Sequence, residues 1–215
     1  FSPIESLELF MFQNPTRAKR LYFDVIPKMT DDYLKLRKDF ENMNDNEKNN
    51  SPIKFINCKD EFKILENFSF NMILNLANVC NAESSDILWG FVENYYKNIE
   101  RRDFPLIQLL LEYGVHYYKK FVLPNKKYRS PDEKEKKGFI KLLEALETFD
   151  EKSEAEDIQT QIYQIGMDLK FDNLKDWFSA FYQVVLGQDQ GPRLGSFIKF
   201  YGIKKTIDLL KEKVI

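Results

Sequence analysis

The residues best suited to chemistry in this sequence lie in a turn rich in glycine, at positions 187–195. Gly187 is predicted to end one helix and Pro192 to be the first residue of the next, because these are favoured positions for the two residue types. Arg193 then falls in the first helical turn, beside unpaired backbone amides that carry partial positive charge. This arrangement suits a phosphate or a phosphodiester. The alternative is an ordinary turn in which Arg193 pairs with a carboxylate or a helix-end carbonyl.

A second group of candidates interleaves aromatic and basic side chains. Such a surface can stack unpaired bases while it follows a phosphate backbone. Aromatic residues at helical spacing usually belong to a core, so we expect most of these rings to be buried and Tyr128 to be exposed. The members of the group are Tyr117, Tyr118, Lys119, Lys120, Phe121, Lys126, Lys127, Tyr128 and Arg129.

Charge is unevenly distributed along the chain, although the net charge of -2 argues neither for nor against a nucleic-acid partner. Residues 119–141 carry nine Lys or Arg and three acidic residues, residues 142–182 carry three and ten, and residues 183–215 carry six and three. Folding could bring the basic residues of 119–141 and of 183–215 together. The alternative is that these charges lie on solvated helix faces and loops.

Catalytic and metal-binding groups are scarce, and we predict no catalytic, cofactor or metal site in this sequence. His116 is the single histidine and lies in an apolar segment, so we expect it to be structural. Cys58 and Cys80 form no CxxC motif, which argues against zinc and a disulfide framework and fits a reduced, cytoplasmic setting. No glycine-rich phosphate loop is present.

The composition predicts a globular, soluble chain with no membrane partner. Of the 215 residues 43% are apolar, which is enough to form a core, but no apolar run approaches the roughly 20 residues needed to cross a bilayer. Because the sequence begins with Phe1 and shows no signal peptide, we interpret it as a fragment.

Apolar periodicity predicts an all-α fold, a helical bundle with at most a short strand near residues 53–58. Residues 41–51 contain almost nothing apolar and are predicted to be a flexible linker. We place a boundary between residues 1–123 and 124–215. Helices are predicted to begin with serine caps at Ser2, Ser130 and Ser153 and to cover about 24–40, 68–80, 85–99, 104–122 and 174–187.

Four parts of the sequence resemble the region that follows the catalytic domain in class I lysyl-tRNA synthetases. They are residues 2–28, 70–77, 128–133 and 181–197, of which the last is the most specific. The resemblance implies an anticodon-binding α-helix cage at 124–215, a helical, stem-contacting part at 1–123, and tRNA-Lys as the partner. The family's HIGH-like and KMSKS-like motifs do not occur in the sequence, so the resemblance implies binding rather than catalysis for this chain.

The resemblance further implies a monomeric, cytoplasmic parent enzyme that attaches lysine to tRNA-Lys, with ATP, Mg²⁺ and lysine bound in a catalytic domain that this sequence lacks. Two alternatives stay open: the same region of a glutamyl or arginyl enzyme, and a helical protein-interaction scaffold. From charge and helix-end physics, the predicted nucleic-acid-binding residues are Lys126, Lys127, Tyr128, Arg129, Gln188, Gln190, Arg193, Lys199 and Lys204.

Overall fold

The computed structural model describes residues 1–56 and 63–214, and every regular element within these ranges is helical. The all-α prediction is therefore confirmed. The α-helices of the described residues are α1 (Ile4–Phe12), α2 (Ile26–Glu41), α3 (Asp45–Asn50), α4 (Phe70–Val79), α5 (Ser85–Tyr96), α6 (Pro105–Tyr117), α7 (Glu133–Leu146), α8 (Ala155–Asp168), α9 (Leu174–Phe181), α10 (Leu194–Tyr201) and α11 (Ile203–Val214). Two of them, α6 and α9, continue into π-helical turns at Tyr118–Val122 and Tyr182–Leu186.

The chain divides into two compact units. Unit 1 comprises Phe1–Ala77 with Asn81–Lys120, and unit 2 comprises Asn78–Cys80 with Phe121–Ile215. The functional division at residues 123 and 124, with a stem-contacting and an anticodon-binding part, stays a prediction.

In unit 1, α1 packs on α2 and α5 packs on α6. A carboxylate fixes the start of α4: Asp31 accepts hydrogen bonds from the backbone N–H of Phe70 at 2.5 Å and from the Asn71 side chain at 2.6 Å. Burial raises the pKa of Asp31, and these hydrogen bonds oppose the rise. The helix N-terminus thus receives an acceptor for amides that have no partner within the helix.

The core of unit 2 forms around Trp177, which is fully buried. Its indole N–H donates to the Ile162 carbonyl at 3.0 Å, so the polar atom of the ring is satisfied. The Phe139 ring packs 5.2 Å from the Trp177 ring, centroid to centroid. These contacts join α7, α8 and α9, and α8 also packs directly on α7 and on α10.

The predicted serine caps are not used, although helices begin close to all of them. The observed N-cap residues are Pro3, Asp132 and Glu154. Asp132 and Glu135 form a capping box, in which each side chain accepts from the other residue's backbone N–H, at 2.7 and 2.8 Å. An anionic cap is favoured over a serine hydroxyl by the partial positive charge of the helix N-terminus.

Residues 41–51 are more regular than the sequence predicts. Helix α3 forms there because Asn44 and Glu47 make a second capping box, with backbone-to-side-chain distances of 3.0 and 2.9 Å. Residues 45–50 are therefore helical, and the flexibility of the linker at residues 41–51 stays a prediction. The prediction allowed at most a short strand near residues 53–58, and the described part of that segment forms none, because Pro52–Phe55 is a 3-10 helix. Residues 57 and 58 lie outside the described residues.

No helix within the described ranges is long and apolar enough to cross a membrane.

Candidate nucleic-acid interface

The turn at Gly187 holds part of the predicted basic surface in unit 2. Gly187 ends the π-helical segment in the left-handed conformation, with φ 69° and ψ 31°, as its glycine identity predicts. The backbone N–H of Lys127 donates to the Gly187 carbonyl at 2.9 Å. The ring of Tyr128 lies over the glycine, since a Cβ placed there would be 3.2 Å from a ring carbon. The segment of residues 126–129, called here the basic segment, is thus attached to the Gly187 turn.

Asn78 stabilises the same turn from the last residues of α4. Its side-chain amide donates to the Leu186 carbonyl at 2.9 Å and to the Gln188 side chain at 3.1 Å. Lys126 Nζ donates to the Asn78 carbonyl at 2.9 Å. A cation is favoured at this position because helix C-termini carry partial negative charge. Asn78, at 1% exposure, was missed by sequence reasoning because nothing local relates it to residues more than 100 positions away.

Tyr128 is the exposed aromatic residue of the basic segment, as predicted, with 50% of its surface accessible. The ammonium of Lys126 lies 5.7 Å from the centre of its ring, and that of Lys213 lies 5.3 Å away. Lys213 also pairs with its neighbour Glu212 at 2.9 Å. Lys213 was not among the predicted residues. The available signal was the basic composition of residues 183–215, which does not indicate which lysine reaches Tyr128.

Arg129 makes an internal ion pair rather than presenting a free guanidinium. Its two terminal nitrogens each lie 2.6 Å from a carboxylate oxygen of Glu135, and Nε donates to Gln183 at 2.7 Å. The hydrogen bonds to Glu135 raise the pKa of Arg129 above its usual value. The capping box of α7 and the basic segment are therefore linked through one buried carboxylate, and the role of Arg129 in binding stays a prediction.

We expect Glu135→Gln to lower the free energy of unfolding by about 1–2 kcal/mol, after allowing for the partial exposure of Arg129. The substitution removes the charge that receives the guanidinium but leaves an amide of similar size. Urea unfolding followed by circular dichroism measures the change. Glu133→Gln is the matched control, because the Glu133 side chain is 86% exposed. Equal decreases in both variants would contradict the structural role of the Arg129–Glu135 pair.

Arg193 and Lys199 have partners at the start of α8. Arg193 Nη1 lies 2.6 Å from Glu156 Oε1, so the alternative of a paired carboxylate is the one observed. Lys199 Nζ donates to the carbonyls of Glu151 and Ser153, at 2.5 and 2.6 Å. The two side chains therefore connect α10 to residues at and just before the start of α8. Any further contact with a phosphate stays a prediction.

Pro192 is not the first residue of α10, contrary to the prediction. The helix begins at Leu194, and Arg193 is the N-cap residue rather than a member of the first turn. The Tyr182 hydroxyl donates to the Pro192 carbonyl, which keeps this residue in the turn before the helix. The amides at the start of α10 are also less available than predicted, because the Gly195 N–H donates to the Gln159 side chain at 2.8 Å.

Lys127, Gln190 and Lys204 are exposed. Within residues 1–56 and 63–214 their side chains have no hydrogen bond or ion pair. Of the nine predicted residues, these three are the most available to an external partner. Five of the predicted residues lie together around the Gly187 turn: Lys126, Lys127, Tyr128, Arg129 and Gln188. Arg193 and Lys199 belong instead to α10 and its N-cap, and they contact residues near the start of α8.

His116 and Cys80 are the histidine and cysteine among the described residues. His116, which we expect to be structural, is exposed on α6. Burial raises the pKa of the Cys80 thiol to about 11, which keeps it protonated near neutral pH. In the part of the chain that the structure describes, no group of three or more His, Cys, Asp or Glu side chains could hold a metal ion. Tyr117 and Tyr118 are buried, as predicted.

No protein-family model matches the sequence. The chain is 42% identical over 217 residues to the lysine–tRNA ligases of Rickettsia bellii (strain OSU 85-389) and Rickettsia felis (strain ATCC VR-1525 / URRWXCal2), covering 100% of this chain and 41% of each relative. The lysine–tRNA ligase of Rickettsia peacockii (strain Rustic) is 41% identical over 214 residues, covering 98% of this chain and 41% of the relative. This chain is similar to a region of lysine–tRNA ligases. It spans about 41% of the length of these curated relatives.

Proposed function

We propose that this chain is the tRNA-binding region of a lysine–tRNA ligase. The observation that carries the proposal is its similarity, over its whole length and at 42% identity, to part of proteins with that name. The exposed lysines and tyrosine around the Gly187 turn support a nucleic-acid partner, because they combine positive charge with a ring available for stacking.

We further propose that the parent enzyme is of class I and that this region follows its catalytic domain. Residues 181–197, which resemble that family most specifically, support this assignment. In the parent protein, ATP with Mg²⁺ and lysine would bind the catalytic domain, and tRNA-Lys would be the second substrate. The parent enzyme is proposed to be a monomer that acts in the cytoplasm.

The proposed recognition combines two kinds of contact. Lys126, Lys127 and Lys204 neutralise phosphates and release the counterions condensed on the RNA. Tyr128, Gln188 and Gln190 contact bases that are unstacked in the anticodon loop, since specific RNA recognition usually targets such bases. The phosphate contacts position the RNA, and the base contacts distinguish one tRNA from another.

Competition among purified tRNA species tests the proposal directly. Fluorescently labelled tRNA-Lys is bound to the chain and displaced by unlabelled tRNA-Lys, tRNA-Glu or tRNA-Arg. Displacement at the lowest concentration by tRNA-Lys supports the assignment, whereas preference for tRNA-Glu or tRNA-Arg supports the corresponding region of those enzymes. A helical protein-interaction scaffold, the remaining alternative, predicts no saturable binding of any tRNA.

The chain alone is expected to show no lysine-dependent exchange between ATP and pyrophosphate. Under the proposed function the groups that bind ATP and lysine lie in the catalytic domain, so no aminoacyl-adenylate can form on this chain. Incorporation of labelled pyrophosphate into ATP is the measurement, with an active lysine–tRNA ligase as the positive control. Lysine-dependent exchange that purifies together with the chain would contradict the assignment.

Variants of Arg193 and of its partner Glu156 together test whether Arg193 contacts the RNA. Because both side chains are more than half exposed, their ion pair contributes little to stability and can open toward a phosphate. We expect Arg193→Ala to weaken binding of tRNA-Lys and to make the negative slope of log affinity against log salt shallower by roughly 0.7 to 0.9. Glu156→Gln, which releases the same guanidinium, is expected to strengthen binding.

Titrations at several salt concentrations measure both variants, and thermal melts show whether each remains folded. Arg193 does not contact the RNA if both folded variants bind tRNA-Lys with unchanged affinity and slope. An effect of Arg193→Ala accompanied by lower stability, with none for Glu156→Gln, would assign Arg193 to the packing of α8 on α10 alone.

A further inference from the structure

We infer that the exposed ring of Tyr128 is the stacking site for one unpaired base of the bound RNA, with Lys126 and Lys213 contacting phosphates beside that nucleotide. The inference rests on the proposed tRNA-binding function. It adds a defined subsite, and it adds Lys213, which the sequence pattern did not indicate.

The position of the Tyr128 ring is fixed before any ligand binds. On one side the ring lies against Gly187, where a Cβ would be 3.2 Å from a ring carbon. The preceding residue is held by the 2.9 Å hydrogen bond from the Lys127 N–H to the Gly187 carbonyl. A ring held in this way loses little conformational freedom on binding, which favours affinity. Half of its surface nevertheless remains accessible.

The turn below the ring is equally well defined. Asn78 is 1% exposed and donates to both the Leu186 carbonyl and the Gln188 side chain, at 2.9 and 3.1 Å. These bonds fix the residues on both sides of Gly187. A polar amide, that of Gln188, is thereby held one residue from the glycine that supports Tyr128. Amide side chains are suited to hydrogen bonding with the edge of a base.

Two lysines near Tyr128, Lys126 and Lys213, supply positive charge for the phosphates beside a stacked base. Their ammonium groups lie 5.7 and 5.3 Å from the ring centre, close enough to interact with its π-electrons. Such a contact at an exposed site corresponds to about a 2- to 5-fold effect on an equilibrium. Stacking of a base on an aromatic side chain corresponds to about 5- to 150-fold. A base can therefore replace the ammoniums over the ring.

The displaced ammonium groups do not leave the site, because each is carried on a flexible four-carbon stem. Phosphates adjoin every nucleotide, so the lysines exchange a weak contact with the ring for a charge-assisted contact with RNA. The Asn78 carbonyl, 2.9 Å from Lys126 Nζ, competes with a phosphate for that lysine. Glu212, 2.9 Å from Lys213, is the competing partner for the other. Its side chain is 67% exposed, and an ion pair of this kind is weak in water.

The test uses the full chain and stem-loop RNAs that carry the anticodon loop of tRNA-Lys, with 2-aminopurine placed at one loop position at a time. Stacking on an aromatic ring quenches the fluorescence of this base analogue. We expect one loop position to be quenched by the wild-type chain and by Tyr128→Phe. Tyr128→Leu is expected to abolish that quenching and to weaken loop binding by about 5- to 150-fold.

Lys213→Ala is expected to make the negative slope of log affinity against log salt shallower by roughly 0.7, while leaving the quenched position unchanged. Lys175→Ala, which removes an exposed lysine of α9, is the matched control and is expected to keep the wild-type slope. A fully paired duplex of the same stem reports any general decrease in RNA binding.

The outcomes separate this inference from the function on which it rests. If the wild-type chain binds tRNA-Lys but no loop position is quenched, or if a folded Tyr128→Leu variant binds the loop as tightly as wild type, the stacking site is overturned and the proposed function stands. If the wild-type chain binds no tRNA at all, the proposed function itself fails. Should Tyr128→Leu not fold, the quenched position in wild type and Tyr128→Phe decides.

Discussion

Replacement of both Lys126 and Lys127 by alanine is expected to weaken binding of tRNA-Lys by about tenfold or more, because each charge-assisted bond to a phosphate contributes about 1.5–3 kcal/mol. The negative slope of log affinity against log salt should become shallower by roughly 0.7 to 0.9 for each phosphate that is no longer neutralised. Lys127 is exposed, whereas Lys126 also bonds the Asn78 carbonyl at 2.9 Å. We therefore expect Lys127 to account for the larger share of the electrostatic effect.

The matched control is the double variant Lys152/Lys175→Ala, which removes the same charge from the acidic segment of residues 142–182. Both control lysines are exposed, so their replacement should leave stability and binding almost unchanged. Equal weakening in the two double variants would mean that binding follows net charge alone. Unchanged affinity and slope in a folded Lys126/Lys127→Ala chain would remove the basic segment from the RNA-binding surface.

Gly195→Ala is expected to lower the free energy of unfolding of unit 2 by about 3 kcal/mol, at the upper end of the usual cost of overpacking. A Cβ at this position would lie 2.3 Å from the Ala155 carbonyl oxygen and 2.8 Å from the Gln159 backbone nitrogen. Both obstacles are backbone atoms of α8, so no rotation of a side chain can relieve the clash. The two helices would have to separate, which would also break the hydrogen bond between Gly195 and the Gln159 side chain.

Gly90→Ala provides a control of the same chemical kind, since both glycines lie within α-helices. A Cβ at Gly90 would have no heavy atom within 4 Å. This variant is expected to stabilise the chain by about 0.5–1 kcal/mol, because alanine restricts the unfolded backbone more than glycine does. Urea unfolding measures both. A Gly195→Ala chain as stable as wild type would contradict the close approach of α8 and α10.

Most of the fold was predictable because helices leave local patterns in a sequence. Apolar periodicity predicted the main helices, and the glycine at 187 correctly marked a left-handed helix end. Helix starts were less predictable, since several polar residues near each start compete for the capping position. At α7 the carboxylate of Asp132 is used instead of the hydroxyl of Ser130. At α3, a capping box produces a helix in a segment with almost nothing apolar.

The candidate site was only partly predictable, because its most informative contacts join distant parts of the chain. Asn78 reaches Leu186, and Lys213 reaches Tyr128, with no local pattern to indicate either contact. Sequence could identify Arg193 as a charge beside a helix start, but the carboxylate that pairs with it lies on another helix. Exposure was easier to predict for Tyr128, since it lies among polar residues outside a helical repeat.

The measurement that tests the central claim most directly is the affinity of the unmodified chain for tRNA-Lys across a range of salt concentrations. If Lys126, Lys127 and Lys204 each contact a phosphate, log affinity should fall linearly with log salt, with a slope steeper than about -2. The affinity for tRNA-Lys should also exceed that for other tRNA species at every salt concentration. Binding that is absent, or that neither depends on salt nor distinguishes tRNA-Lys from other tRNAs, would contradict the assignment of this chain as a tRNA-binding region.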